Sequence, residues 1–130
     1  MNLATLIAKR AEEGQPIRVG MIGAGKFGTM FLAQAERQRG IHIIGICDLN
    51  PEATRSNLAL ANWNLERYAA KSLDAAAKNG TTHVGDNWEA LVNHPAVEII
   101  IECTGNPMAA VTHILRAFDQ GKPVSYTHLR

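Results

Sequence analysis

Short apolar runs alternate along the chain with longer stretches in which apolar residues recur at intervals of three or four. The short runs are rich in isoleucine and valine, as is typical of strands buried on both faces of a parallel sheet. Strands are predicted at residues 17–22, 41–47, 81–84 and 97–103. The longer stretches have the period of amphipathic helices. Helices are expected at residues 2–13, 26–39, 52–79, 87–93 and from 107 to about 121.

Helix-capping and helix-breaking residues indicate where these helices begin and end. Gly14 and Gly40 follow the first two predicted helices, and Pro51 is suited to open the third. The alanine-rich residues 52–79 are long for one crossover helix, so two helices with a break near residues 68–72 are expected. Before the next helix, Asp86 and Glu89 resemble a capping box in which Asp86 is the N-cap.

The alternation of strands and helices predicts a Rossmann-type, doubly wound α/β fold, in which helices cover both faces of a mainly parallel sheet. Right-handed crossovers are expected to place the fourth strand beside the first, on the side opposite the second. The 130 residues suffice for one domain with a core, but not for a cofactor domain plus a substrate domain. We therefore expect an amino-terminal helix at residues 1–15 and one nucleotide-binding domain at residues 16–130.

A glycine-rich segment joins the first predicted strand to the helix after it. It matches the G-x-G-x-x-G pattern of dinucleotide-binding loops, and its position between strand and helix argues against a turn that binds nothing. The candidate cofactor-binding residues are Gly23, Ala24, Gly25, Lys26, Phe27 and Gly28. The first glycine permits a tight turn, the second lets the backbone approach a pyrophosphate, and the third lets helix and strand pack closely. Free N–H groups at the helix start would then face the phosphates.

An acidic residue lies where such a fold binds ribose. Asp48 is 20 residues beyond Gly28, at the end of the second predicted strand. A carboxylate there can accept hydrogen bonds from an adenosine ribose and would repel a 2′-phosphate, which favours NAD. Arg55, one turn into the next helix, would offset that repulsion and allow NADP. From these residues alone the choice between NAD and NADP stays open.

A polar turn follows the fourth predicted strand at the topological switch point, where open α/β sheets bind ligands. We expect this turn to border the nicotinamide ribose. It consists of Thr104, Gly105, Asn106 and Pro107. Glu102 ends the same strand, but a carboxylate without a visible partner is weak evidence for acid or base catalysis. The five histidines are scattered and are interpreted as surface or capping residues.

Composition and charge narrow the class of protein. The chain is 46% apolar and 19% charged, which is typical of globular proteins, and its net charge of +1 includes no basic stripe that would bind nucleic acid. Because the chain shows neither a signal-peptide pattern nor an apolar stretch of about 18 residues, we expect a cytoplasmic protein without a membrane partner. Cys47 and Cys103 lack a metal-binding spacing, so no metal site is expected. At two strand spacings, about 10 Å, they are beyond disulfide reach.

Three segments together resemble the homoserine dehydrogenase-like oxidoreductases, and the resemblance covers almost the whole chain. They are Ile-Arg-Val-Gly-Met-Ile-Gly-Ala-Gly-Lys at 17–26, Cys-Asp-Leu-Asn-Pro at 47–51 and Ile-Glu-Cys-Thr-Gly-Asn-Pro at 101–107. The amino-terminal helix and the alanine-rich insertion are most similar to the 1-deoxy-D-xylulose 5-phosphate reductoisomerase-like proteins, which often carry a later SAF domain.

This resemblance implies an NADPH-dependent enzyme that isomerises and reduces deoxyxylulose phosphate in isoprenoid synthesis. It also implies a divalent metal and a small-molecule substrate bound further along the chain. Only the glycine-rich loop, Asp48 and the turn at 104–107 carry over to this sequence by position. The catalytic residues of the family do not.

The end of the chain departs from the family pattern. After residues 121–124 another apolar strand is expected, but residues 125–130 are mostly polar. We therefore expect a poorly formed fifth strand in an amino-terminal fragment that is inactive alone. Exposed apolar surface would then favour self-association, so a homo-oligomer is a further expectation.

Three other functions fit the same pattern. Homoserine dehydrogenase or another NAD(P)-dependent dehydrogenase is one, and a non-catalytic NAD(P)-sensing module is the second. A methyltransferase that uses S-adenosylmethionine is the third. Its loop commonly reads G-x-G-x-G, whereas position 27 here is Phe27 and the third glycine is Gly28.

Overall fold

The isoleucine- and valine-rich runs form the strands of one sheet. The computed structural model describes residues 3–23, 26–35 and 39–126. Its strands are β1 (Ile17–Ile22), β2 (Ile41–Cys47), β3 (His83–Gly85), β4 (Ile99–Glu102) and β5 (Val124–Tyr126). They pair in parallel in the order β3-β2-β1-β4-β5. The predicted doubly wound fold is confirmed, with β4 beside β1 on the side opposite β2.

The helices follow the periodic stretches. They are α1 (Leu3–Glu12), α2 (Lys26–Ala35), α3 (Pro51–Leu60), α4 (Leu73–Asn79), α5 (Trp88–Asn93) and α6 (Pro107–Asp119). The predicted break in the alanine-rich segment is present but wider than expected, and it contains a 3₁₀ helix, Leu65–Tyr68. In this part of the chain no helix combines the length and the apolar character needed to cross a bilayer.

Two apolar layers hold the helices against the sheet. On one face, buried residues of β1 and β2 such as Met21 and Ile43 pack with Leu32 of α2 and Leu58 of α3, and α1 covers the same cluster. On the other face, Ile100 of β4 lies in a cluster with residues of α4, α5 and α6. The helices α3 and α4 therefore lie on opposite faces, so the alanine-rich segment crosses from one face of the sheet to the other.

The predicted N-cap of α5 is wrong by one residue. Asn87, not Asp86, caps the helix, and its side chain accepts a hydrogen bond of 3.0 Å from the N–H of Ala90. Asp and Asn are comparable N-caps, so the pattern cannot choose between two adjacent candidates. The backbone path after β3 decides the matter and leaves Asp86 free to face the carboxyl edge of the sheet.

Two strands differ from their predicted limits. The third strand is His83–Gly85 rather than residues 81–84, because Thr82 directs its N–H to the carbonyl of Arg67, 2.7 Å away. The fifth strand, expected to be poorly formed, pairs with β4 over Val124–Tyr126. Its polar residues do not prevent pairing, since the ladder is made by backbone groups. Residues 127–130 lie outside the described part of the chain.

Candidate functional site

Four strands end side by side at one edge of the sheet. The N–H of Gly23, just after β1, donates to the carbonyl of Cys47 at 2.7 Å, and the N–H of Asp48 donates to the carbonyl of Gly85 at 2.9 Å. On the other side of β1, the N–H of Cys103 donates to the last carbonyl of that strand at 2.7 Å. The first residues after β1, β2 and β4 are thus each bonded to the last residue of a neighbouring strand, which holds the four strand ends together at the carboxyl edge.

A cavity of about 480 Å³ opens above this edge, within the size range of small-molecule and cofactor sites. It brings together residues that are far apart in the sequence. Its polar and aromatic lining includes Gly23, Asp48, Asp86, Trp88, Thr104, Asn106 and His113. Ile22, Cys47, Leu49, Cys103 and Ala109 supply most of the apolar lining. We call this space the edge cavity.

Gly23 has a conformation and a neighbourhood that only glycine fits. Its φ of +80° lies in the left-handed region, and a Cβ at this position would be 2.8 Å from the backbone N of Thr104. Absence of a side chain therefore lets the loops after β1 and β4 touch. The positive φ agrees with the tight turn expected of the first glycine of the motif, and the contact with Thr104 is a second reason for glycine at this position.

The rest of the glycine motif is described only in part. Ala24 and Gly25, which are predicted to bind the cofactor, lie outside the described residues. The same is true of the side chains of Lys26 and Phe27 and of the predicted close packing at Gly28. The backbone of α2 begins at Lys26, so the motif does join a strand to a helix. Free N–H groups are expected at the first turn of any helix, and here that turn follows Gly23 at the carboxyl edge.

Asp48 lines the edge cavity and has spare hydrogen-bonding capacity. Its Oδ1 accepts from the N–H of Asn50 at 3.0 Å, which shapes the turn into α3. Its second oxygen has no hydrogen bond to the described residues. Arg55 is placed differently: its guanidinium contacts the carboxylate of Glu52 and donates to the carbonyl of Val84 at 3.2 Å. It does not line the edge cavity.

The turn after β4 is ordered by its own side chains. Oγ1 of Thr104 accepts from the N–H of Asn106 at 3.2 Å, and Oδ1 of Asn106 caps α6 by accepting from the N–H groups of Met108 and Ala109. Pro107 occupies the first turn of α6, where its missing N–H costs nothing. Gly105 has a φ of +69°. Thr104 and Asn106 face the edge cavity, as expected for the switch point.

Glu102 has a partner that the sequence interpretation missed. Its carboxylate is fully buried; Oε1 accepts from the N–H of Thr104 at 2.8 Å, and Oε2 lies 2.5 Å from Nδ1 of His113. The assignment of His113 to the surface or to a cap is therefore wrong. A signal was present, because Ala110, His113 and Ala117 recur with helical spacing on the buried face of α6.

The indole of Trp88 packs beside the Glu102–His113 pair. The rings of Trp88 and His113 have centroids 4.6 Å apart and are tilted by 56°. Trp88 is the first residue of α5 and His113 lies in the second turn of α6. The contact thus joins the two helices on one side of the edge cavity and offers a flat, partly apolar surface to a ligand.

Negative charge accumulates around the edge cavity. Burial, together with the charges of Asp48, Asp86 and Glu102, raises the pKa of the Cys47 thiol to about 12. Cys47 and Cys103 are both buried, and neither takes part in a disulfide. The carboxylates suit a ligand portion that donates hydrogen bonds and carries no negative charge. Within the described ranges, no three His, Cys, Asp or Glu side chains are grouped to hold a metal ion.

Comparison with known proteins agrees with this geometry. A family model described as an oxidoreductase family with an NAD-binding Rossmann fold matches residues 17–127. The match begins at β1 and includes every segment that borders the edge cavity. Among curated proteins there is no significant match.

Several solved structures have the same fold at low sequence identity. An NAD-binding oxidoreductase from Klebsiella pneumoniae superposes with a TM-score of 0.57 at 21% identity, over 85% of this chain and 27% of that one. The YvaA protein of Bacillus subtilis gives 0.58 at 20% identity, over 86% and 27%. A homoserine dehydrogenase from Thiobacillus denitrificans gives 0.57 at 20% identity, over 88% and 24%. The chain spans about a quarter of the length of these structures.

Proposed function

Because the chain belongs to the Gfo/Idh/MocA oxidoreductase family, with its NAD-binding Rossmann fold, we propose that the edge cavity holds a nicotinamide dinucleotide. The observation that carries this proposal is the meeting of Gly23, Asp48 and the turn at 104–107 around one cavity. A bound NAD(P)H would supply hydride-transfer chemistry. In the proposed enzyme this chain contributes the nucleotide-binding part of an NAD(P)-dependent oxidoreductase.

The residues fit the parts of such a ligand. Gly23 brings the loop after β1 to the edge cavity, and α2 begins three residues later, so the N–H groups of its first turn are suited to bind a diphosphate. The second carboxylate oxygen of Asp48 is suited to accept a hydrogen bond from a ribose hydroxyl. Thr104 and Asn106 also line the cavity.

We expect NADH to bind more tightly than NADPH. A 2′-phosphate beside Asp48 would face its charge and that of Asp86, which also lines the edge cavity. Arg55 is engaged by Glu52 and by the carbonyl of Val84, so it would have to leave both partners to bind that phosphate. The family resemblance implies NADPH instead, and a direct comparison of the two nucleotides decides between these expectations.

Titration with the reduced nucleotides tests the proposal. Trp88 lines the edge cavity, so quenching of tryptophan fluorescence by bound NADH is the measurement. Asp48→Ala should weaken NADH binding about tenfold, because charged hydrogen bonds contribute about 1.5–3 kcal/mol. The same variant should weaken NADPH binding less, since the lost carboxylate also repels the 2′-phosphate.

The matched control is Asp119→Ala, an exposed acid at the far end of α6. It should leave both affinities unchanged while altering net charge by the same amount. Absence of saturable binding of either nucleotide to the folded wild type would end the proposal. An equal change of affinity in both Asp variants would show that Asp48 has no specific role and would remove it from the site.

Two more specific enzyme activities are suggested by resemblance alone. Homoserine dehydrogenase and the deoxyxylulose phosphate reductoisomerase remain hypotheses from resemblance, and no contact at the edge cavity favours either of them. Proposed substrates are small molecules that accept or donate a hydride at the nicotinamide.

A further inference from the structure

The Glu102 carboxylate fixes the orientation of the His113 ring. Both oxygens of the carboxylate are used, one by the N–H of Thr104 at 2.8 Å and one by Nδ1 of His113 at 2.5 Å. An ionised carboxylate can only accept hydrogen bonds, so Nδ1 must be the donor. In the uncharged imidazole the other nitrogen, Nε2, is therefore an acceptor.

The side chain of His113 lines the edge cavity and is 9% exposed. Among the described residues, Nε2 has no hydrogen-bond partner. A ligand in the edge cavity is therefore suited to supply the donor for Nε2.

The position of His113 indicates which group of the ligand would donate a hydrogen bond to Nε2. Among the uncharged parts of a dinucleotide, the donors are the ribose hydroxyls, the adenine amino group and the amide of the nicotinamide. Asp48 is already assigned to the adenosine ribose. Of the two bases of a reduced dinucleotide only adenine is aromatic, and the indole of Trp88 beside His113 is suited to pack against an aromatic base. Resting on the proposed function, we propose that Nε2 of His113 accepts a hydrogen bond from the adenine amino group, with Glu102 as the positioning residue.

A nucleotide altered at the edge of the base tests this. In reduced nicotinamide hypoxanthine dinucleotide a carbonyl oxygen replaces the adenine amino group and N1 carries a hydrogen, so the donor at C6 becomes an acceptor and the neighbouring acceptor becomes a donor. We expect the wild type to bind NADH about tenfold more tightly than this analogue at about pH 8.5. One lost hydrogen bond and two opposed acceptors account for a factor of that order. His113→Phe, which keeps a ring beside Trp88, should bind the two nucleotides equally.

Glu102→Gln gives a readout that a purely structural role would not produce. The amide oxygen can still accept from the N–H of Thr104, but its NH₂ group donates to Nδ1 and moves the ring hydrogen to Nε2. Nε2 then becomes a donor that fits the hypoxanthine carbonyl. The preference for NADH over the analogue should fall at least tenfold, and the analogue should bind more tightly than it does to the wild type.

The control and the contrary outcomes separate this inference from the proposed function. His94→Gln removes another histidine that pairs with a carboxylate, that of Asp74, and should leave the preference unchanged because His94 does not line the edge cavity. Binding of neither nucleotide by the wild type would refute the proposed function itself. Equal binding of both by the wild type, or an equal loss for both in Glu102→Gln, would refute only the adenine contact. The wild-type ratio decides even if a variant fails to fold.

Discussion

Two glycines at the carboxyl edge differ in the steric space around them. Gly23 and Gly105 both have positive φ, +80° and +69°. At Gly23 an added Cβ would meet the backbone of Thr104 at 2.8 Å, whereas at Gly105 nothing lies within 4 Å. Backbone strain thus applies to both positions, but the steric block applies to Gly23 alone.

Gly23→Ala and Gly105→Ala should therefore lower the free energy of unfolding by different amounts. Both substitutions should cost about 1 kcal/mol through the left-handed backbone conformation. Gly23→Ala should cost roughly 1–3 kcal/mol more, because the loops after β1 and β4 must separate. It should also weaken NADH binding. Urea unfolding and fluorescence titration measure the two effects, and equal destabilisation by both substitutions would contradict the steric argument.

At the scale of elements, an ion-pair cluster ties α1 to the sheet. Oε1 of Glu98, just before β4, accepts from Nη2 of Arg10 at 2.8 Å and from the N–H of Arg18 at 3.1 Å. Arg10 also donates to the carbonyl of Gln15 at 2.6 Å. Burial alone would raise the pKa of Glu98, but the hydrogen bonds and charges of Arg10 and Arg18 outweigh it. The pKa of this carboxyl is therefore below its ordinary value.

The lowered pKa of Glu98 determines the direction in which folding stability changes with pH. A carboxyl whose pKa is lower in the folded state adds stability above the unfolded pKa of about 4.3, and this stability is lost as pH falls through the folded pKa. Glu98→Gln should therefore lower the free energy of unfolding at pH 7, by no more than about 1 kcal/mol since the group is partly solvated. As the pH falls through the lowered folded-state pKa of Glu98, the variant and the wild type should converge.

Urea unfolding at several pH values measures this, with Glu52→Gln as the control. Glu52 pairs with Arg55 within α3 and its side chain is 81% exposed, so its substitution should change stability little at any pH. A difference between Glu98→Gln and the wild type that grows as the solution is acidified would contradict the assigned sign. Loss of the pair should loosen α1 without disturbing the edge cavity on the opposite edge of the sheet.

At the scale of the whole molecule, α6 carries an apolar stripe on its outer side. Met108, Val111, Leu115 and Phe118 follow one another at helical spacing and are 82%, 56%, 62% and 62% exposed. Large apolar side chains exposed in a row are typical of surfaces that pack against another surface. The inner side of the same helix contains His113 and packs against the apolar cluster around Ile100.

This stripe predicts self-association of the chain in solution. Sedimentation velocity should show concentration-dependent association, and the double substitution Leu115→Gln, Phe118→Gln should reduce it, because glutamine keeps the helix while removing apolar surface. Leu60→Gln is the control, since Leu60 is 80% exposed but lies on α3, on the other face of the sheet. A wild type that is monomeric at all concentrations would contradict this prediction.

Much of the architecture could be predicted because it is encoded locally. Strands β1 and β2 lie where their apolar runs predict, and the Gly23 motif joins a strand to a helix as its spacing indicates. The strand order follows from the right-handedness of crossovers, which is a property of all L-amino acid chains. The sequence by itself therefore determined the fold class, the position of the carboxyl edge and some of the residues that border it, namely Gly23, Asp48, Thr104 and Asn106.

Only the tertiary structure decided the pairings between elements. Nothing local indicates that Glu102 bonds to His113, that Asn87 rather than Asp86 caps α5, or that Arg55 donates to the carbonyl of Val84 in β3. Such choices depend on which side chains the packing of helices on the sheet brings within about 3 Å. Periodicity shows that a residue is buried; its partner is set by the distance and direction between two elements, which no single segment contains.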